Sequence, residues 1–317
     1  MVTKLSLPFT KVILKLWDYL LANRGELFPF ETPAWHTLWL KTFLHYPEEL
    51  YFLSADDKAI APFIRNGNTV SFSGGKEISD YMDIVCPDEE IHDVWPKILS
   101  YLRDDAIQTL ALSNIAENSK TYEFFTSLQS SSPDSVTMQK DDTTPILSLP
   151  DSWDEYLTSL DRKSRHELRR KMKRFEEMYG IDSLSIRSSD EASQLLFLMK
   201  KDSNKNAFLT DSMESFFNSL SSAFHSQFEV TTLFVSDTPA ASIAGFNSQN
   251  SYLLYNSGFD EKQFSGAGFY LKSKSIALAI EKNIKTYNFL QGNERYKYEL
   301  GGKDLAIYTI TVDILKY

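Results

Sequence analysis

The sequence holds a single cysteine, Cys86, among 317 residues. An internal disulfide is therefore excluded, and the chain suits a reducing compartment, with a cytoplasmic protein as the expectation. Long uncharged apolar runs are also missing. The first twenty residues, MVTKLSLPFTKVILKLWDYL, interrupt their apolar positions with Lys4, Lys11, Lys15 and Asp18, so no signal-peptide core is present. No other run approaches the roughly 18 residues that span a bilayer. Positive charge is in deficit: 33 Lys and Arg against 43 Asp and Glu give a net charge of −10, which argues against a nucleic-acid binder that works through a broad basic surface. None of the 12 glycines stands four residues from another, so the G-x-S-x-G nucleophile elbow is absent, as are the P-loop, G-x-G-x-x-G and C-x-x-C. His36, His45, His92, His166 and His225 show neither H-x-x-x-H nor H-x-H spacing, so no metal site is expected.

What is present is a globular composition, 42% hydrophobic with 16 Tyr and 22 Phe, in a chain long enough for two average domains. Trp35, Leu38, Trp39 and Phe43 fall on one helical stripe after Thr32-Pro33. Residues 50–74 read as three short strands broken by Asp56-Asp57 and Asn66-Gly67. DVWPKILSYLRD predicts a helix and IQTLALSNI a strand. The Ser-, Thr-, Asp- and Pro-rich segment 127–152 reads as loops flanking one or two edge strands. The domain boundary is placed near Pro150, giving domains 1–150 and 151–317. Ser152 and Glu155 then form a capping box, followed by a helix over about 163–179, two more helices, strands near 228–236, 240–248 and 251–259, a further helix and a strand at KTYNFL. Helices, an antiparallel meander and a β-turn-α-β unit describe an α/β protein with mixed sheets.

The turn inside EKQFSGAGFYLKSKSIALAIEKN carries Gly266 and Gly268 between a strand and a helix. One reading is an ordinary turn. The other is a phosphate cradle, because glycine permits unusual dihedrals and close approach, and the first N–H groups of a helix are unpaired and favour an anion.

Gln263-x-x-Gly266-x-Gly268 resembles the coenzyme A pyrophosphate signature of the GNAT (Gcn5-related) N-acyltransferases. The stretches YNSGFD (255–260), FLQGNERYK (289–297), LDRKSRHELRRKMKRFEE (160–177) and IAPFIRNGNTVSFSGGKEISDYMDIV (60–85) are similar to the BioF2-like, or CelD/BcsL-type, acetyltransferases. Those are relatives of the FemABX aminoacyl transferases. The resemblance covers about residues 28 to 300 and implies tandem GNAT-like domains, the C-terminal one binding acetyl-CoA or another acyl-CoA and passing its acyl group to an amine, or less readily a hydroxyl, of a small acceptor.

It also implies roles for particular residues. Gly266, Ala267 and Gly268 would offer N–H groups to the donor's phosphates, with Gln263 pinning the loop. Glu294 would act as base and Tyr296 as acid, with Tyr298 as a substitute. Lys297 would contact an anionic substrate group or the developing oxyanion. Asn293 would stand near the acyl group, and Asp80, Tyr81 and Asp83, with Tyr255 and Asn256, would bind the substrate. Eight cations crowd into residues 162–174. Such a run reads first as a solvated helix face. Arg162 and Arg165 sit near the helix start, where an anionic substrate, an acyl carrier protein or the acceptor stem of an aminoacyl-tRNA could dock. A FemABX-like aminoacyl transferase and a non-catalytic binding protein of the same fold are the alternatives. Acyl chain, acceptor and oligomeric state are left open.

Overall fold

A computed structural model describes residues 1–25, 27–46 and 49–317. The chain forms two compact units, Met1–Thr143 with Leu305–Tyr317, and Thr144–Asp304. This differs from the expected division at residue 150. Strand Ala306–Asp313 leaves the second unit and inserts between Thr109–Ala116 and Val136–Thr143 as an inner strand of the first unit's sheet. Its buried residues Ile310 and Val312, with Ile314 just beyond the strand, belong to that core, so the last segment of the chain is structurally part of the first.

In the first unit a five-stranded sheet runs in the order Phe63–Asn66, Thr69–Phe72, Thr109–Ala116, Ala306–Asp313, Val136–Thr143. A smaller sheet holds Val2–Lys4, Leu53–Ala55 and Ala59–Ala61. The region read as three strands thus contains four. Asp56 and Asp57, at φ 54° and 55°, turn the first pair, and Gly67, at φ 60°, turns the second, where left-handed backbone suits these residue types. Thr32 caps helix Pro33–Phe43 by accepting from the Trp35 N–H at 3.2 Å. Helix Ile91–Asp104 buries Trp95, Ile98, Leu99 and Leu102.

This unit also buries charge. Arg24 Nη1 lies 2.5 Å from Glu31 Oε1 and Nη2 lies 3.7 Å from Asp83 Oδ2. Asp83 accepts from the Thr121 hydroxyl at 2.6 Å and the Ile84 N–H at 2.7 Å, and Thr121 accepts from the Trp95 indole at 2.9 Å. Burial pushes the Glu31 carboxyl up to about 7 against the pull of Arg24, and among the described residues its Oε2 has no partner. Burial raises Asp83 as well. Cys86 is buried here, its thiol pushed up to about 12 by burial.

The second unit is a six-stranded sheet in the order Ile146–Ser148, Thr286–Asn288, Ser251–Phe259, Thr238–Ser248, Phe228–Val235, Leu184–Ser189. The strands Ser251–Phe259, Thr238–Ser248 and Phe228–Val235 form the expected meander, Leu184–Ser189 is a further strand that was not expected, and Thr286–Asn288 joins in parallel after helix Ala267–Glu281. That parallel pairing covers only Ser251–Leu253, whereas the longer strand runs on to Phe259. The sheet therefore opens into a splay beyond Leu253.

The helix over Arg162–Tyr179 begins at Asp161, whose carboxylate accepts from the Lys163 and Ser164 N–H groups at 2.8 and 3.1 Å. It ends at Gly180, φ 77°. Its stripe Leu168, Met172, Phe175 and Tyr179 turns inward, and fully burying a side chain such as Phe175 contributes about 1.5–3 kcal/mol. Phe175 stacks on Tyr270 at 4.6 Å, and Tyr270 donates to Glu176 at 2.9 Å. These contacts fasten the cationic helix to the one that follows the glycine turn. Among the described residues no helix is long and apolar enough to cross a membrane.

Candidate functional site

After strand Ser251–Phe259 the chain folds back on Asp260, which accepts from the Gln263 N–H at 3.1 Å through its carboxylate and from the Phe264 N–H at 2.8 Å through its carbonyl. Gly266 follows at φ 87° and caps helix Ala267–Glu281. The two glycines are needed for different reasons. Gly266 needs its dihedral, since a Cβ there would have room, 3.8 Å from Phe175. Gly268 needs its bareness, since a Cβ would fall 2.8 Å from the Phe259 ring.

The amides divide in a way the sequence does not reveal. Gly266 N–H points to the Glu261 carboxylate, 3.2 Å from each oxygen, and that carboxylate also accepts from the Ser265 hydroxyl at 2.8 Å. Ala267 N–H is taken by the Phe264 carbonyl at 3.0 Å. Among the described residues the N–H groups of Gly268 and Phe269 meet no acceptor. Of the three amides expected in the cradle, Gly268 alone is free, and its neighbour Phe269 completes the pair. Gln263 pins the turn through its backbone, accepting from the Tyr179 hydroxyl at 3.4 Å. Its side chain borders a separate depression with Lys201 and Asp202.

Gly266, Gly268 and Phe269 form one wall of a cavity of about 450 Å³. Arg170, Lys171 and Arg174 of the cationic helix border it, and Phe259, Lys272 and Tyr296 lie along its inner side. Lys171 pairs with Glu299 at 2.6 Å and lies 4.3 Å from the Phe269 ring centroid. Arg170 pairs with Glu167 at 2.7 Å. Arg174 makes no ion pair among the described residues.

Lys272 interacts electrostatically with two further lysines, Lys205 and Lys297, and with one glutamate, Glu294. Lys297, 2% exposed, donates to the carbonyls of Leu290, Gln291 and Gly292 at 2.9, 2.7 and 3.0 Å and pairs with Glu294 at 2.9 Å. Its ammonium is thereby fully engaged in holding the 290–294 loop, so direct contact with substrate does not describe its place. Lys205 donates to the Ser257 carbonyl and lies 3.5 Å from its hydroxyl. Burial pushes its ammonium down, partly offset by Asp202 and Glu294. Lys272 is 5% exposed, 3.9 Å from the Tyr296 ring centroid and 5.3 Å from that of Phe259. Burial first, and then the charge of Lys205, push it down to about 7. The Glu294 side chain is 58% exposed, so the burial that acts to raise its carboxyl is partial, and Lys297 holds the group below its ordinary range. Tyr296 is raised by burial and by Glu294, so its hydroxyl keeps its proton.

Among the remaining candidates, Tyr298 donates to Asp304 at 2.8 Å and does not border the cavity. Asn293 is exposed. Tyr255 packs among Phe217 and Phe246, with centroids at 5.7 and 5.4 Å, and the Asn256 side chain accepts from the Ser257 N–H. Tyr81 and Asp80 belong to the first unit, where Tyr81, at φ 52°, stacks on Phe28 at 4.3 Å and Asp83 serves the buried ion cluster. Arg162 and Arg165 border a shallow groove of about 560 Å³ with Lys163, His166 and Arg169. Sequence reading missed Lys272. The available signal was a lysine four residues after Gly268 in a helix whose residues are buried nearly all round, where a charged side chain must face either a partner or a cavity.

Residues 162–298, which include the cationic helix, the glycine turn and the lysine cluster, match the family model of the acetyltransferase (GNAT) domain. That segment is similar to the GNAT domain. The fold of the whole chain is that of tandem GNAT proteins. A conserved protein of unknown function from Bacteroides thetaiotaomicron VPI-5482 superposes with a TM-score of 0.64 at 14% identity, covering 96% of this chain and 99% of that one. FemX gives 0.60 at 11%, covering 96% of each chain. A tandem GNAT protein from the clavulanic acid biosynthesis pathway gives 0.51 at 8%, covering 99% and 98%. L-PGS from Bacillus licheniformis gives 0.60 at 11%, covering 95% and 91%. No match was found among curated protein sequences. At these identities the structural likenesses establish the fold of the GNAT domain and its companion unit, not a substrate.

Proposed function

We propose that this protein transfers an acyl group from acyl-CoA to an amine of a small acceptor by direct attack on the thioester. The observation that carries this reading is the pair of unbound N–H groups, Gly268 and Phe269, at the start of a 15-residue helix and open to the cavity. A helix N-terminus attracts negative charge, and free amides supply the hydrogen bonds a phosphate needs. Arg170, Lys171 and Arg174 add positive charge around the same space. The donor's reactive end would then run toward the splay beyond Leu253, where Tyr296, still protonated, faces the leaving group. Lys297 would act at one remove, by holding the 290–294 loop.

The test is a thermal-shift titration with acetyl-CoA, longer acyl-CoAs and free CoA. A ligand at a hundredfold excess over its Kd stabilises the native state by about 2.7 kcal/mol. Wild type should be stabilised, and Arg174→Glu, a change at an exposed and unpaired site, should lose most of that gain. No shift with any CoA would remove acyl-CoA as the donor.

A second reading takes the donor from aminoacyl-tRNA, as the resemblance to the FemABX transferases implies. The observation favouring it lies on the cationic helix. Arg170, Lys171 and Lys173 have carboxylate partners, whereas Arg162, Lys163, Arg165, Arg169 and Arg174 have none among the described residues. Five unpaired cations in a chain of net charge −10 fit a polyanion. Binding of lysyl-tRNA that falls steeply with salt, alongside no response to acetyl-CoA, would select this reading.

A further inference from the structure

Transfer to an amine requires a proton acceptor, because the acceptor arrives as an ammonium. Glu294 is committed to Lys297 and held below its ordinary range, and Tyr296 retains its proton. Among the described residues no histidine borders the cavity.

Lys272 meets the requirement by position. It lies one helical turn beyond Gly268, on the same face of the helix, so its side chain borders the cavity that holds the two free amides. Two aromatic rings surround its nitrogen, and among the described residues it forms no hydrogen bond and no ion pair through that atom. Its neighbours Lys205 and Lys297 are each bound to backbone carbonyls. The charged groups around it are Lys205 and Lys297, Glu294, the cavity cations Arg170, Lys171 and Arg174, and Glu261 on the turn. Glu167 and Glu299 pair with Arg170 and Lys171, but among the described residues no carboxylate pairs with Lys272, and a buried ammonium without one is costly.

We propose that Lys272, as the uncharged amine, is the general base of the transfer. This rests on the acyl-transfer reading above. Lys272 Nζ takes one proton from the acceptor ammonium. The freed nitrogen lone pair forms the C–N bond at the donor carbonyl, and the C–S bond breaks. The adduct nitrogen passes its second proton to the leaving sulfur, and Lys272 returns its proton to water. The lowered affinity of Lys272 for its proton, about 7, suits this post, since a base works best when it titrates near the operating pH.

The experiment has two arms. Trace labelling with acetic anhydride from pH 5 to 11, read by peptide mass spectrometry, gives the titration midpoint of each lysine. Lys272 should turn reactive near pH 7. In the second arm, thiol release from acetyl-CoA is measured with a panel of amino sugars, amino acids and polyamines. Lys272→Met should retain acetyl-CoA binding by thermal shift and lose about 100-fold or more in kcat, and ethylamine should restore part of the rate in Lys272→Ala. A midpoint in the ordinary range overturns the proposal whatever the donor. So does a Lys272→Met variant that turns over within twofold of wild type. Wild type that neither binds nor consumes acetyl-CoA sinks the acyl-transfer reading itself, and the base role with it, a pattern that a fault at Lys272 alone does not produce.

Discussion

In the first unit the Arg24 guanidinium lies between two buried carboxylates, Glu31 and Asp83, and a threonine and a tryptophan complete the hydrogen bonding. In the second unit three buried or half-buried lysines surround Glu294, and one of them, Lys272, makes no ion pair among the described residues, lies against two aromatic rings and borders a cavity. The first cluster closes on itself. The second keeps a nitrogen in reserve. Burying charge is costly in either case, so what separates a structural cluster from a candidate site is the presence of a group that the protein leaves without a counter-ion next to open space.

Removing the single cation of the first cluster should give the largest effect. Arg24→Met leaves Glu31 and Asp83 facing each other without compensation, and a loss of about 3–5 kcal/mol is expected, read by urea denaturation at pH 7.5. The corresponding Lys272→Met should cost little or stabilise, because no partner is orphaned. Equal losses at both positions would erase the distinction.

The pH dependence should split the clusters next. Glu31 titrates at about 7 when folded against an ordinary 4.5. Between those values the folded chain binds more protons, so stability falls as pH rises. Lys272 titrates at about 7 when folded against an ordinary 10.5. Over that interval the unfolded chain binds more protons, so stability climbs. The Glu31 limb is on the order of 3 kcal/mol and the Lys272 limb on the order of 5 kcal/mol. Glu31→Gln should flatten only the limb below pH 7, and Lys272→Met only the limb above it, in denaturation series from pH 4.5 to 10.5.

The smallest expected effect concerns Glu261, whose carboxylate stands where an incoming anion would approach Gly266. Glu261→Gln should tighten acetyl-CoA binding by about 1 kcal/mol, within tenfold, in a calorimetric titration. Unchanged or weaker affinity would mean that Glu261 organises the turn and does not screen it.

Much of this was legible in local sequence. The Ser152 cap, the stripe from Leu168 to Tyr179, the meander and the glycine turn follow from short-range chemistry, and each is where periodicity placed it. Helix Lys120–Ser131 was not read, because its apolar signal is weak and its start rests on the Ser119 cap. The return of Ala306–Asp313 to the first unit escaped because strand pattern identifies a strand and not its partner, here Thr109–Ala116. Lys297 was read as an open hand for substrate. Leu290 and Gly292, at φ 56° and 115°, turn the chain so that three carbonyls close on its ammonium, a conformation no residue spacing announces.

That returning strand has a consequence for the newborn chain. Until Ala306–Asp313 is made, Thr109–Ala116 and Val136–Thr143 each lack the neighbour that will separate and join them, and present unsatisfied strand edges. The unit synthesised first is therefore the one that finishes last, after everything inserted between its two pieces has emerged from the ribosome. During that interval its half-built sheet is the part of the molecule most exposed to mispairing with another copy and most dependent on chaperone protection.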